Sequence, residues 1–191
     1  MPGADARSAR TPLHRRSIEI QGYRRSDGLY DIEASLVDTK PHDFRLAAGV
    51  RTAGEPIHAM RLRITVDRDL TIVDAEAAMD GVPYVGDCER IAPDYRKLIG
   101  VAIRPGYTHR LKELFGGVRG CTHLSDLAAM AATAAFQTLA GERAQDPARQ
   151  PFQLDRCHAL DGAGPVVARY YPRWYRGGEA IEPAGGAGEQ P

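Results

Sequence analysis

Gly116-Gly117-Val118-Arg119-Gly120-Cys121-Thr122-His123-Leu124 carries more chemistry than any other stretch of this chain. A glycine-punctuated turn delivers a thiol and an imidazole onto the first turn of an alanine-rich helix. Both groups bind metals or move protons, and a helix N-terminus favours a thiolate. Successive helical residues turn by about 100°, so Cys121 and His123 meet only if Cys121 precedes the helix, which Gly120 permits. The plain alternative is a small buried cysteine and a capping or packing histidine.

Other residues of the same types are spread along the chain. Cys157-His158 follows a proline-rich segment. Joined with Cys121 and His123 it would supply two thiols and two imidazoles, with Cys88 as a third thiol, a set suited to zinc or iron. Strong zinc patterns have two separated pairs, and this chain has none, so no bound metal follows from spacing. His58 opens an alternating segment, and Asp38-Thr39-Lys40 ends another. At one rim of a sheet Asp38 could orient His58, while Lys40 or Tyr84 donates a proton. The plain alternative is a salt bridge with turn residues. There is no G-x-S-x-G, phosphate-binding glycine loop or dinucleotide fingerprint.

Composition limits the class. The 191 residues are 43% hydrophobic and 26% charged, with 25 basic and 25 acidic side chains. Zero net charge gives no support to a nucleic-acid or membrane-surface partner. The basic start (Arg7, Arg10, Arg15, Arg16) lacks the apolar run of a secretory signal. No apolar stretch approaches the roughly 20 residues of a membrane span. Three widely spaced cysteines read as reduced thiols in the cytoplasm, with no disulfide. Nothing here speaks to oligomeric state.

These groups need elements to position them. Ser17–Gln21, Tyr30–Leu36, Met60–Val66 and Thr71–Ala77 alternate apolar and polar residues, as half-buried strands do. Asp27-Gly28 marks a hairpin turn between the first two. Thr39 to Gly54 reads as a loop. The period then changes. Asp87–Leu98 reads as a short helix interrupted at Pro93, Thr108–Phe115 as another, and Thr122–Gly141 as the longest. Val166–Arg169 reads as a short strand. The expectation is an α+β fold: a four-stranded antiparallel sheet packed against a long Ala-rich helix and two shorter ones. A flexible arm over 1–14, one domain over 15–176 and a disordered tail over 177–191 complete it.

Arg24-Arg25-Ser26-Asp27-Gly28-Leu29-Tyr30-Asp31-Ile32-Glu33, Asp38-Thr39-Lys40, Pro56-Ile57-His58-Ala59-Met60, Pro83-Tyr84 followed by Cys88, and Gly120-Cys121-Thr122-His123-Leu124 occur in that order. Together they resemble an uncharacterised bacterial family catalogued only as a domain of unknown function. The resemblance runs from about Arg15 to Leu139, and Cys157–Leu160 and Tyr171–Tyr175 are similar to the family's tail. Ala59 departs from the acidic residue expected after the histidine. The resemblance implies catabolism of lignin-derived and other aromatic compounds, including lyases that release formaldehyde from a hydroxymethyl side chain. Such a lyase needs no redox cofactor. His123 or His58 would be its base and Tyr84 or Lys40 its acid, with Asp38 beside them. Tyr30, Tyr170 and Trp174 would line a pocket for a small aromatic substrate. The alternative is a non-catalytic metal- or small-ligand-binding protein using Cys88, Cys121, His123, Cys157 and His158.

Overall fold

A turn at Asp27-Gly28 sets the register of the first hairpin. The structure is a computed structural model, and it describes residues 9–143, 150–151 and 153–178. Gly28 adopts φ +85, and Arg25 and Leu29 close the loop with a backbone hydrogen bond of 2.9 Å. Strand β1 (Arg15–Arg24) thereby pairs antiparallel with β2 (Tyr30–Thr39), placing Arg16 opposite Asp38. β2 pairs with β5 (Pro56–Val66), and β5 with β6 (Ile72–Gly81), giving the sheet order β1-β2-β5-β6. The expected loop over 39–54 contains a small hairpin of β3 (Phe44–Leu46) and β4 (Gly49–Arg51). Three-residue strands are too short to show an alternation that sequence reading can detect.

Even-numbered residues of β2 and β5 face the core. Tyr30, Ile32, Ala34 and Leu36 are buried, as are Met60, Leu62, Ile64 and Val66. Side chains alternate with period two along a strand, so the same parity carries Asp38 and His58 onto that face at the sheet's end. The helices cover it. α2 (Thr122–Arg143) buries Leu124, Leu127, Ala128, Ala131 and Ala135. Its approach to β1 is close: a Cβ on Gly22 would collide with the Thr138 hydroxyl. α1 (Tyr107–Phe115) joins α2 through the Tyr107 hydroxyl, which donates to the Ala128 carbonyl at 3.3 Å.

The segment Cys88–Leu98 is a 3-10 helix, with Pro93 inside it and Ala92, Tyr95 and Leu98 buried. Proline lacks the N–H that a continuous α-helix would use there. A second departure is α3 (Pro165–Tyr170), where a short strand over Val166–Arg169 was expected. Proline at the first helical position carries a preset φ, and the Ala168 N–H bonds the Gly164 carbonyl at 3.1 Å. These outweigh the β-branched preference of Val166-Val167.

By contact the chain forms two compact units, Met1–Thr138 and Leu139–Pro191. Within the second, Leu154, Val167 and Ala168 are buried. The Arg176 guanidinium forks onto Asp155 with two bonds of 2.8 Å. That fork, with a backbone N–H from Gly162, holds the Asp155 carboxyl at about 2. The first eight residues of the arm, most of the proline-rich linker and most of the C-terminal tail lie outside the described residues.

Candidate functional site

Three strands and one helix end meet around a single carboxylate. Asp38, at the end of β2, is 2% exposed. Its cross-strand neighbours are Arg16 on β1 and His58 on β5. Arg16 donates twice, Nε to Oδ1 and a terminal nitrogen to Oδ2, both at 2.8 Å. His58 Nδ1 lies 3.2 Å from Oδ2. His14, just before β1, brings Nε2 to 3.2 Å from Oδ1. From the first turn of α2, His123 Nε2 faces Oδ2 at 3.4 Å. The rings of His58 and His123 lie face against face, tilted by 32° with centroids 3.9 Å apart.

The turn before α2 is built to hold His123 there. Gly120 passes so close to Phe115 that a Cβ would collide with the Phe115 carbonyl. The Tyr95 hydroxyl accepts from the Cys121 N–H at 3.1 Å and bonds its carbonyl at 2.8 Å. Tyr95 itself stacks on Phe115 at 4.3 Å. Cys121 precedes the helix, its carbonyl accepting from Ser125, so its side chain escapes the helical rotation. Its Sγ reaches 3.8 Å from His123 Nδ1.

Electrostatics follow from this packing. Burial holds both imidazoles below their ordinary value. For His58 the Asp38 carboxylate opposes the shift, and Arg16 and His14 add to it. For His123 the neighbouring His58 adds to the effect of burial. Burial alone would raise Asp38, but the Arg16 fork, with His14 and His123, carries it below the usual carboxylate value. The cluster therefore joins an ionised carboxylate to two imidazoles biased toward the neutral form.

Two adjoining hollows open on it, one of about 530 Å³ and one of about 370 Å³. His58, His123, Pro83 and Tyr84 form their common wall. The larger adds Met60, Met79, Cys88, Ile91 and Cys121. The smaller adds His14, Arg16, Asp38, Lys40, Phe44 and Leu46. Tyr84 is half exposed, and Lys40 Nζ sits 5.1 Å from the centre of the Phe44 ring. A shallow trough on the opposite face, lined by Glu33, Arg61, Arg63 and Glu76, is walled by none of the described histidines or cysteines.

Of the candidate residues, His58, Tyr84 and His123 line both hollows, Cys88 and Cys121 the larger, and Asp38 and Lys40 the smaller. Tyr30 lines neither. It is 1% exposed and begins β2, eight residues from Asp38. The alternation that makes β2 a strand turns Tyr30 into the core. Cys157, His158, Tyr170 and Trp174 lie in the second unit, and the walls named above come from the first alone. Of the five-residue Cys/His metal set, Cys88, Cys121 and His123 line the larger hollow. Among the described residues, a set of metal-ligand types that comes together is Asp38, His58 and His123, with ligand atoms within 4.8 Å of one another. Arg16 and His14 were missed by the sequence reading: a two-residue turn at Asp27-Gly28 would put residue 16 across from residue 39, whereas the observed loop over 25–29 is centred on Asp27 and puts it across from residue 38.

No curated protein and no solved structure matches the chain. The family described as a protein of unknown function (DUF2889) matches residues 14–137, which hold every side chain of the cluster, and the chain belongs to that family.

Proposed function

We propose that the protein is an enzyme working by acid–base chemistry, and that it acts as a carbon–carbon lyase on an aromatic compound with a hydroxymethyl arm. The observation that carries the acid–base reading is the Asp38–His58 pair, a buried carboxylate 3.2 Å from an imidazole that lines an open cleft. Asp38 accepts the Nδ1 proton, which leaves the Nε2 lone pair as the base. Desolvation keeps that base unprotonated near neutral pH. Support for the reaction type comes from the resemblance of the ordered motifs.

In the fragmentation, His58 takes the proton of the primary alcohol. The C–C bond to the hydroxymethyl carbon breaks, its electrons form a C=C bond, and formaldehyde departs. The bond to the phenolic oxygen on the next carbon breaks with it, and Tyr84 protonates the phenolate. Lys40, in the smaller hollow, is the other donor at hand. Met60, Met79 and Ile91 offer the aromatic ring an apolar wall. Three free thiols support a cytoplasmic setting.

Asp38, His58 and His123 also have the residue types of a zinc or iron site. Two imidazoles on one tetrahedral ion, with bonds of about 2.0–2.1 Å, hold their ring centres about 5 Å apart. These rings are at 3.9 Å, and Arg16 already occupies the carboxylate. The spacing favours proton transfer over metal ligation, and elemental analysis of the purified protein measures the balance between them.

The test is formaldehyde release from an aryl compound bearing a hydroxymethyl arm beside an aryl ether carbon. His58→Ala should lower the rate by about 10²–10⁴-fold with an unchanged melting temperature. An unaltered rate in a folded variant ends the assignment of His58. A parent protein that releases no formaldehyde from such compounds ends the lyase reading.

A further inference from the structure

Cys121 has no part in the acid–base reading, yet its thiol faces the same cleft. Sγ lies 3.8 Å from His123 Nδ1. The other nitrogen of that ring lies 3.4 Å from Asp38 Oδ2. Thiol, imidazole and buried carboxylate are therefore arranged in sequence, with thiol and carboxylate at opposite nitrogens of one ring. A nucleophile, its base and the base's orienting group must stand in that order. The backbone of Cys121 is pinned by the Tyr95 hydroxyl, while its side chain is only half-buried. A cysteine serving the core would show the reverse, a shielded side chain.

We propose that Cys121 is a nucleophilic thiol worked by His123, and that the cleft takes aldehydes as reversible S-adducts. In the addition an S–C bond forms at the carbonyl carbon as the S–H bond breaks. His123 takes the thiol proton at Nδ1 and returns it to the carbonyl oxygen. The product is a thiohemiacetal, and nothing is oxidised or reduced. Formaldehyde is the aldehyde that the proposed fragmentation would release beside this thiol. That choice of ligand rests on the lyase reading, whereas the reactivity of the thiol does not.

Competitive alkylation tests both parts. The native full chain is given limiting iodoacetamide, and the three cysteines are followed by peptide mass spectrometry. Burial alone ranks the exposed Cys157 ahead of the half-buried Cys88 and Cys121. The expected result is the opposite: Cys121 leads Cys157 by about tenfold or more at neutral pH, and His123→Gln removes the lead. His123→Asn is made alongside, and a variant counts if it melts like the parent. If neither does, the ranking in the parent decides. Formaldehyde added first should slow Cys121 alone. A Cys121 no faster than Cys157, or one that keeps its lead in a folded His123 variant, overturns the nucleophile. A fast Cys121 that formaldehyde leaves unprotected overturns the aldehyde assignment. A fast, protected Cys121 in a protein that releases no formaldehyde from aromatic substrates refutes the lyase and sustains the thiol.

Discussion

Two rows of cross-strand polar side chains run over this sheet, one on each face. Arg16, Asp38 and His58 are direct neighbours across β1, β2 and β5. Glu33, Arg63 and Glu76 are direct neighbours across β2, β5 and β6. Both contain an arginine–carboxylate bond of ordinary length, 2.8 Å in the first row and 2.9 Å in the second. Their surroundings differ. Asp38 is 2% exposed and Glu76 is 69% exposed. Water screens the second pair, and exposed pairs contribute about 0–1 kcal/mol. The first lies where α2 closes over the sheet's end, so its charges act on each other and on two imidazoles. Residue type is shared between the rows. Strand parity and the covering helix make one of them a candidate site.

The largest expected difference comes from matched amide substitutions. Asp38→Asn removes the negative charge and turns one acceptor oxygen into a donor, so the amide can no longer accept from both His58 and the Arg16 fork. Among the described residues Arg16 then keeps as an ion pair only the longer contact to Asp126. Activity should fall by about 10²–10⁴-fold and stability by about 2–3 kcal/mol, the latter moderated because Arg16 is partly solvated. Glu76→Gln should change stability by no more than about 0.5 kcal/mol and leave activity intact. Thermal melts and the formaldehyde assay measure both, and equal effects would dissolve the contrast between the rows.

An acid titration gives the next largest difference. His58 and His123 bind a proton in the unfolded chain at about 6.5 but in the folded protein only lower. Their contribution to stability is therefore complete above about 6.5 and declines as pH falls below it. Asp38 is also shifted down, so its contribution is lost only as pH falls below the ordinary carboxylate value, about 4. Urea melts against pH should show two successive losses. In a His58→Gln, His123→Gln double variant the limb between about pH 5 and 6.5 should flatten and the lower limb persist. A double variant with the parent's upper limb would place that titration elsewhere.

Arg61→Gln should have the smallest effect. Arg61 bonds Asp80 at 2.6 Å on the open face, with both side chains more than half exposed. Its geometry matches the Arg16 fork, but the expected loss is only about 0–0.5 kcal/mol. Raised salt should erase most of it and leave the effect of Asp38→Asn standing. A loss as large as that of Asp38→Asn would show that geometry, not burial, sets the strength of these forks.

The fold class was legible because local pattern and tertiary fold agree over most of the chain. Alternation over Tyr30–Leu36 and Met60–Val66, and the helical stripe from Leu124 to Thr138, report which face meets the core. Elements of three to six residues carry too little pattern to read, so the β3–β4 hairpin lies where the sequence predicts a loop and α3 where it predicts a strand. Its Pro165 was the signal to weigh more heavily.

By itself the sequence determined the strand parity, the hairpin turn at Asp27-Gly28 and the placing of Cys121 and His123 at a helix start. From these it follows that Asp38, His58 and His123 stand at element ends. Only the tertiary structure decided that those ends converge and that Arg16 and His14 join them. It also decided that Tyr30, for all its aromatic ring, belongs to the core. The reason is one of range. Period and turn chemistry act over a few residues and can be read along the chain. Meeting at one carboxylate requires β1, β2, β5 and α2 to be brought together across more than a hundred positions, and burial, which makes that carboxylate different from Glu76, exists only once they are.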